Sequence, residues 1–156
     1  MTAESLLVPT LRIAHMLAGA AWFGALVYRT FFVDPRSKRF LADPDRYESF
    51  ALYLADGMRY VVMLSLATVG VTGFALTGLL WKTDPNWQLL MAVKCGLWLI
   101  ACGVFAYISW VHWPRRVFAV AAEYPALHRQ GFWLALAMIG LSAAGLVLGT
   151  VARGLG

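Results

Sequence analysis

His15 and Lys94 are the side chains best placed to do chemistry, because each is an ionisable group set inside an apolar stretch. Such groups are costly in hydrocarbon and need a partner, which makes them functional candidates. His15 lies in Arg12-Ile-Ala-His15-Met-Leu-Ala-Gly19-Ala-Ala-Trp22-Phe-Gly-Ala-Leu26-Val-Tyr-Arg29. Positions 12, 15, 19, 22, 26 and 29 step by three and four and so share one helix face. An imidazole there can ligate haem iron, and the cores of helical bundles are where such cofactors sit. Gly19, one turn on, leaves room for a porphyrin face, and Trp22 can wall it. Arg12 and Lys94 can neutralise the propionates. The plainer alternatives are a neutral imidazole bonded to another helix and a Lys94 that snorkels to the headgroups.

A second axial ligand is harder to place. His112 is 18 residues beyond Lys94, on the same face but about 27 Å away, so one haem cannot bridge His15 and His112. Met91 and Lys94 are the other ligands at the depth of His15, unless the iron is five-coordinate. His112 and His128 read as membrane-interface residues. Copper is the competing metal: Met16, Met91, Cys95 and Cys102 are soft donors that suit Cu(I), though they form no compact ligand spacing. Nothing reads as a phosphate loop, a hydrolase elbow or a paired-carboxylate site. Asp43, Asp45, Glu48 and Asp56 read as caps and solvated charge.

The elements that hold these residues follow from composition. Of 156 residues, 61% are hydrophobic and 13% charged, with a mean hydropathy of +0.68. This excludes an ordinary soluble domain and points to an integral membrane protein. The expected fold is all-α, a single four-helix antiparallel transmembrane bundle with helices over 6–32, 45–81, 87–113 and 127–151. Pro9 is expected in the first turn of helix one, and Asp34-Pro35 is expected to end it. Asp45 and Glu48 have capping-box spacing at the start of helix two. That helix is longer than a bilayer needs, so 45–58 should project into water, with Asp45, Arg46 and Glu48 exposed. Trp87 and Trp113 are expected as interface anchors at the ends of helix three. Pro114-Arg115-Arg116 should close that helix, and Pro125 should break the chain before helix four. In helix four, Gly145 and Gly149 form a small-xxx-small packing motif, and Ala14, Ala18, Ala21 and Ala25 give helix one a similar stripe. Cys95 and Cys102 are too far apart along one helix to pair.

The net charge of +5 reads as topology. Arg36, Lys38, Arg39, Arg46, Arg115, Arg116 and Arg129 lie in or beside two connectors, and Lys82 and Arg153 lie on the other side. This bias makes the two connectors cytoplasmic and both termini periplasmic in a bacterial inner membrane. The first charge is Glu4, and no basic segment precedes the apolar run, so no cleavable signal peptide is expected.

His15-x6-Trp22-Phe-Gly-Ala-Leu-Val-Tyr28, running on to Phe31-Phe32-Val33, resembles the first helix of the HemJ-type protoporphyrinogen oxidases and the opening helix of the copper-resistance CopD membrane domain. Helix three, with Lys94 and the apolar run to Pro114-Arg115, is similar to the lysine-bearing helix of both families. The fourth helix, His128-Arg129 through Gly149-Thr150, looks more like CopD. The chain departs from the HemJ pattern at Arg29-Thr30-Phe31, where that family has Leu-Pro-Arg, and at Phe105-Ala106-Tyr107, where a Tyr-His is expected. The resemblance implies haem b held through His15, with Lys94 needed for activity. The expectation is therefore a membrane haem-b redox protein, acting on a porphyrinogen or passing electrons to or from a quinone. The alternatives are a copper-import or copper-resistance protein and a cofactor-free subunit of a larger membrane complex. Expected partners are the lipid bilayer, a porphyrin or quinone, and further copies of the chain or other subunits, with no nucleic acid.

Overall fold

A computed structural model describes residues 3–154. The side chains of Glu4 and Arg153 lie outside the described residues. The described elements are all helical: α1 (Ala3–Tyr28), α2 (Asp34–Leu41), α3 (Pro44–Leu79), α4 (Pro85–Tyr107), α5 (Trp113–Val117) and α6 (Tyr124–Gly154). A π-helical turn, Arg29–Val33, joins α1 to α2, and a second, Ile108–His112, joins α4 to α5. A short 3-10 turn, Ala121–Glu123, precedes α6. Four helical stretches among the described residues are long and apolar enough to cross a membrane: Leu6–Leu41, Pro44–Leu79, Pro85–Val117 and Ala121–Ala152.

The helices run longer than expected, and the prolines explain where. Asp34-Pro35 does not end the first helix. The N–H of Asp34 bonds to the carbonyl of Arg29, five residues back, and Pro35 then opens α2. Pro114 behaves in the same way: the Trp113 N–H reaches the Ile108 carbonyl, and the helix continues to Val117. A proline lacks an N–H and clashes with the carbonyl four residues back. Widening the preceding turn to π spacing relieves that clash, so the rod continues. Pro9 lies inside α1 rather than in its first turn, and Pro125 sits in the first turn of α6, where its missing N–H is not needed.

The caps also differ. Asp43, not Asp45, caps α3, its Oδ1 accepting from the N–H groups of Asp45 (2.9 Å) and Arg46 (3.4 Å). Asp84 does the same for α4, accepting from Trp87 N–H at 3.1 Å. Trp87 is not an outward anchor. It is buried and stands edge-on to the exposed Trp81, with ring centres 5.7 Å apart.

α1 packs chiefly on α3 and also on α6, and α4 packs on α6, while α3 and α4 touch little. Contacts join 66 to 98 and 48 to 116, and 94 to 149 and 112 to 131, so α3 runs opposite to the α4–α5 rod, as does α6. A small core of Trp22, Val62, Leu66, Ala101 and Met138 ties the rods together at mid-length. Leu17, Leu64, Val71, Leu89 and Val147 point outward and are at least 60% exposed. Exposed apolar surface on this scale fits lipid contact rather than water.

Glu48 departs most from expectation. It is 3% exposed, because the first turns of α3 lean on α5 and α6. Arg116 donates to its two oxygens through Nε (2.8 Å) and Nη2 (2.9 Å). His128 Nε2 donates to Oε2 at 2.6 Å. His128 is itself flanked by the rings of Tyr47 and Tyr124. Asp45 and Arg46 are exposed, as expected. Arg59 to Leu79 alone spans about 30 Å, so Glu48 lies beyond the part of α3 that a bilayer core would need. Burial pushes its carboxyl up, but the bonds from His128 and Arg116 outweigh this and hold it at about 2. Removing one member of such a buried pair costs about 3–5 kcal/mol. Glu48→Gln should therefore lower the thermal stability of the detergent-solubilised protein by that order. A carboxyl depressed in the fold stabilises it fully above the unfolded value near 4.5 and loses that contribution as pH falls toward 2. Melting curves across this window should fall for the native protein and be flatter for Glu48→Gln.

Candidate functional site

The expected site residues meet at one cavity. Arg12, His15, Gly19, Trp22, Met91 and Lys94 all line a space of about 1030 Å³ bounded by α1, α3, α4 and α6. Sites for small molecules and cofactors are usually ~300–1,000 Å³, so this one has room for a large ligand. Met16 of α1 and Cys95 of α4 also line the cavity. Cys102 does not; it packs against the mid-length core. Among the described residues, no group of three His, Cys, Asp or Glu side chains is arranged to hold a metal ion. His112 and His128 are not exposed interface residues, since His112 is buried and His128 is half-buried against Glu48.

The orientation of His15 is set by α3. Its Nδ1 lies 2.9 Å from Thr72 Oγ1. The Thr72 hydroxyl donates to the carbonyl of Thr68 at 2.5 Å, one turn back in its own helix. With its only proton engaged there, Thr72 oxygen can only accept from His15. An acceptor at Nδ1 favours the neutral tautomer that carries its proton there and its lone pair on Nε2. A metal-ligating histidine is oriented in this way, by a bond from the ring nitrogen that does not bind the metal. Gly73 completes the seat: a Cβ there would stand 3.1 Å from His15 Cε1.

The other walls are shaped for close approach. A Cβ on Gly19 would meet Leu146 at 3.5 Å, and one on Gly149 would lie 3.7 Å from Lys94 Nζ. Lys94 thus crosses from α4 toward α6 and reaches the cavity over a glycine. Thr77 places its hydroxyl 3.9 Å from Met91 Sδ. Trp98 donates from Nε1 to the Leu66 carbonyl at 3.1 Å, which fixes a second indole on the wall. Trp22 differs: it is buried, and its Nε1 has no hydrogen-bond partner among the described residues. A buried donor without an acceptor is expensive, and this one lies on the cavity wall.

Sequence reading missed Thr72, Gly73, Trp98 and Gly149 as parts of this site. The signal was present in the small and hydroxylated residues at 65, 68, 70, 72, 73 and 77 of α3, which let other helices come close.

Gly70 offers a test of the wall. A Cβ there would fall 2.5 Å from Trp98 Cζ2, so Gly70→Ala must displace the indole and should destabilise the protein by about 1–3 kcal/mol. Gly24→Ala meets nothing within 4 Å and should be neutral or slightly stabilising. Thermal melts followed by tryptophan fluorescence would separate the two.

Comparison with protein-family models, with curated proteins and with solved structures finds no match.

Proposed function

We propose that this chain is an integral membrane four-helix antiparallel bundle that binds haem b in the cavity around His15 and uses it in one-electron redox chemistry. The observation that carries the proposal is the Thr72-fixed imidazole, whose Nε2 lone pair is on offer in a cavity of macrocycle size. The resemblance of the first and third helices to HemJ and CopD proteins points the same way. Haem, when bound, supplies an iron centre able to take and give single electrons. His15 would hold the iron through Nε2. Arg12 and Lys94 would pair with the carboxylates of the macrocycle, where two cations replace part of the water those groups lose. Trp22 offers its indole N–H to the same ligand. Lys94 is the reactive candidate, a donor brought from α4 over Gly149 into the cavity. The acceptor or donor of electrons is a porphyrinogen or a quinone.

Copper handling is the second reading. Its support is that Met16, Met91 and Cys95 line the same cavity as His15, a soft-donor set that suits Cu(I).

The membrane reading rests on the four apolar rods and their outward apolar side chains. The charge bias supports an orientation with both termini in the periplasm of a bacterial inner membrane. A periplasm-dependent reporter fused after Gly156 should be active, and a fusion active only in the cytoplasm would contradict that orientation.

The visible spectrum tests the cofactor. The native protein expressed with ample haem should show a Soret band, and His15→Ala should lose it while still inserting. Thr72→Val keeps His15 but removes its acceptor, and should weaken haem retention by roughly ten- to a hundredfold. Lys94→Ala should keep the haem but lower turnover or shift the midpoint potential. Full haem in His15→Ala, or none in the native protein, would overturn the reading. Copper bound by haem-free protein and lost on replacing Met91 or Cys95 would favour the second.

A further inference from the structure

At the other end of the molecule, where the two π-helical turns face each other, α3 and α6 complete a second cavity of about 420 Å³. His112, the last residue of the second π turn, lines it and is 4% exposed. Neither of its ring nitrogens makes a well-directed hydrogen bond among the described residues, although the Gln130 side chain of α6 lies within reach of the ring, and Nε1 of the neighbouring Trp113 has no partner among them either. The imidazole is not loose. Gly131 of α6 lies so close that a Cβ there would sit 3.1 Å from His112 Nε2. The Trp113 indole N–H is therefore left beside the cavity with nothing from the described residues to receive it, and the His112 ring has at most the Gln130 amide, so both donors can serve a ligand.

The charges on the wall specify the missing acceptor. Arg29, Lys38, Arg59 and Arg116 line the cavity against a single lining carboxylate, Asp34. Arg29 lies 3.7 Å from Asp34, and Arg116 is engaged by Glu48. Arg59 instead lies over the Trp110 ring at 5.2 Å, a contact that supplies no counter-charge. The remaining wall is apolar, from residues such as Leu26, Val62, Phe105 and Met138. A polar rim of donors and cations above an apolar body fits a molecule of matching polarity.

We propose that this second cavity binds an amphiphile with an anionic head, its oxygens taking the N–H groups of His112 and Trp113 beside Arg59 and its hydrocarbon lying along the apolar wall. The head is a phosphate from an acidic membrane lipid or the carboxylate of a free fatty acid; both present anionic oxygens on an apolar tail. The site stands apart from the His15 cavity and does not depend on haem.

Native mass spectrometry of the delipidated full chain in detergent tests this, with dioleoylphosphatidylglycerol, dioleoylphosphatidylcholine and oleate as probes. One of the two anionic probes should bind at least about tenfold more tightly than phosphatidylcholine, as hydrogen bonds to a charged group warrant. His112→Phe, which removes the donor, and Ala135→Phe, which fills the cavity from α6, should each weaken that binding about tenfold. Leu64→Ala on the outward face should leave it unchanged. Preference for phosphatidylglycerol assigns the head to a lipid phosphate, and preference for oleate assigns it to a free carboxylate. Equal binding of phosphatidylcholine, or anionic binding that survives both cavity variants, would overturn the proposal.

Discussion

The hydrogen bond from His15 to Thr72 is the contact on which the first cavity depends. Thr72 has one proton, and the carbonyl of Thr68 takes it. That leaves its oxygen to accept from Nδ1, which favours the tautomer with its lone pair at Nε2. Everything near His15 accommodates this arrangement. Gly73 lets the ring lie against α3, Gly70 admits the Trp98 indole, and Gly149 lets Lys94 cross from α4. Three glycines on two helices keep open a space that larger residues would close. The rods that carry them meet at a compact mid-length core, which leaves room for cavities toward either end.

The two ends are built differently. At the His15 end, the bond to Thr72 sets the orientation of the key ring. The opposite end carries Glu48, Arg116 and His128 in a closed set of charge-assisted bonds, which locks α3, α5 and α6 together. Beside that lock, both π turns widen the helices just before a proline. The widening places Thr30 and His112 on the inner side, where both are buried. A helix broken at Pro35 or Pro114 would end at these points and leave no second cavity. The rods instead continue past the apolar span, and the bonded carboxylate of Glu48 sits in the extension.

Much of the fold was legible in the sequence because hydrophobic runs of this length are an unambiguous signal. The number of long helices follows from them, and so does the gathering of Arg12, His15, Gly19, Trp22, Met91 and Lys94, whose spacing puts them on faces at one depth. Their lining of one cavity tells nothing of what fills it. The helix ends were misread at Pro35 and Pro114, since a π turn has no composition signature and Asp-Pro ordinarily ends a helix. Glu48 was misread as solvated because its partners are 68 and 80 residues away, and pairing at that distance leaves no local pattern. His128 was read as an interface group for the same reason, and His112 because its packing against Gly131 of α6 leaves no local pattern either. Thr72 was missed because a threonine in an apolar helix usually bonds only its own backbone, and here its oxygen also accepts from His15.

The central claim is that His15 is held with its proton on Nδ1 so that Nε2 can bind iron. Nitrogen-15 NMR of histidine-labelled protein in nanodiscs tests it most directly, with His15 assigned by the signals lost in His15→Ala. Without haem, His15 should resonate as the Nδ1-protonated neutral ring. Adding haem should perturb that pair of signals and leave those of His112 and His128 in place. An Nε2-protonated His15, or His15 signals that haem does not change, would contradict the account.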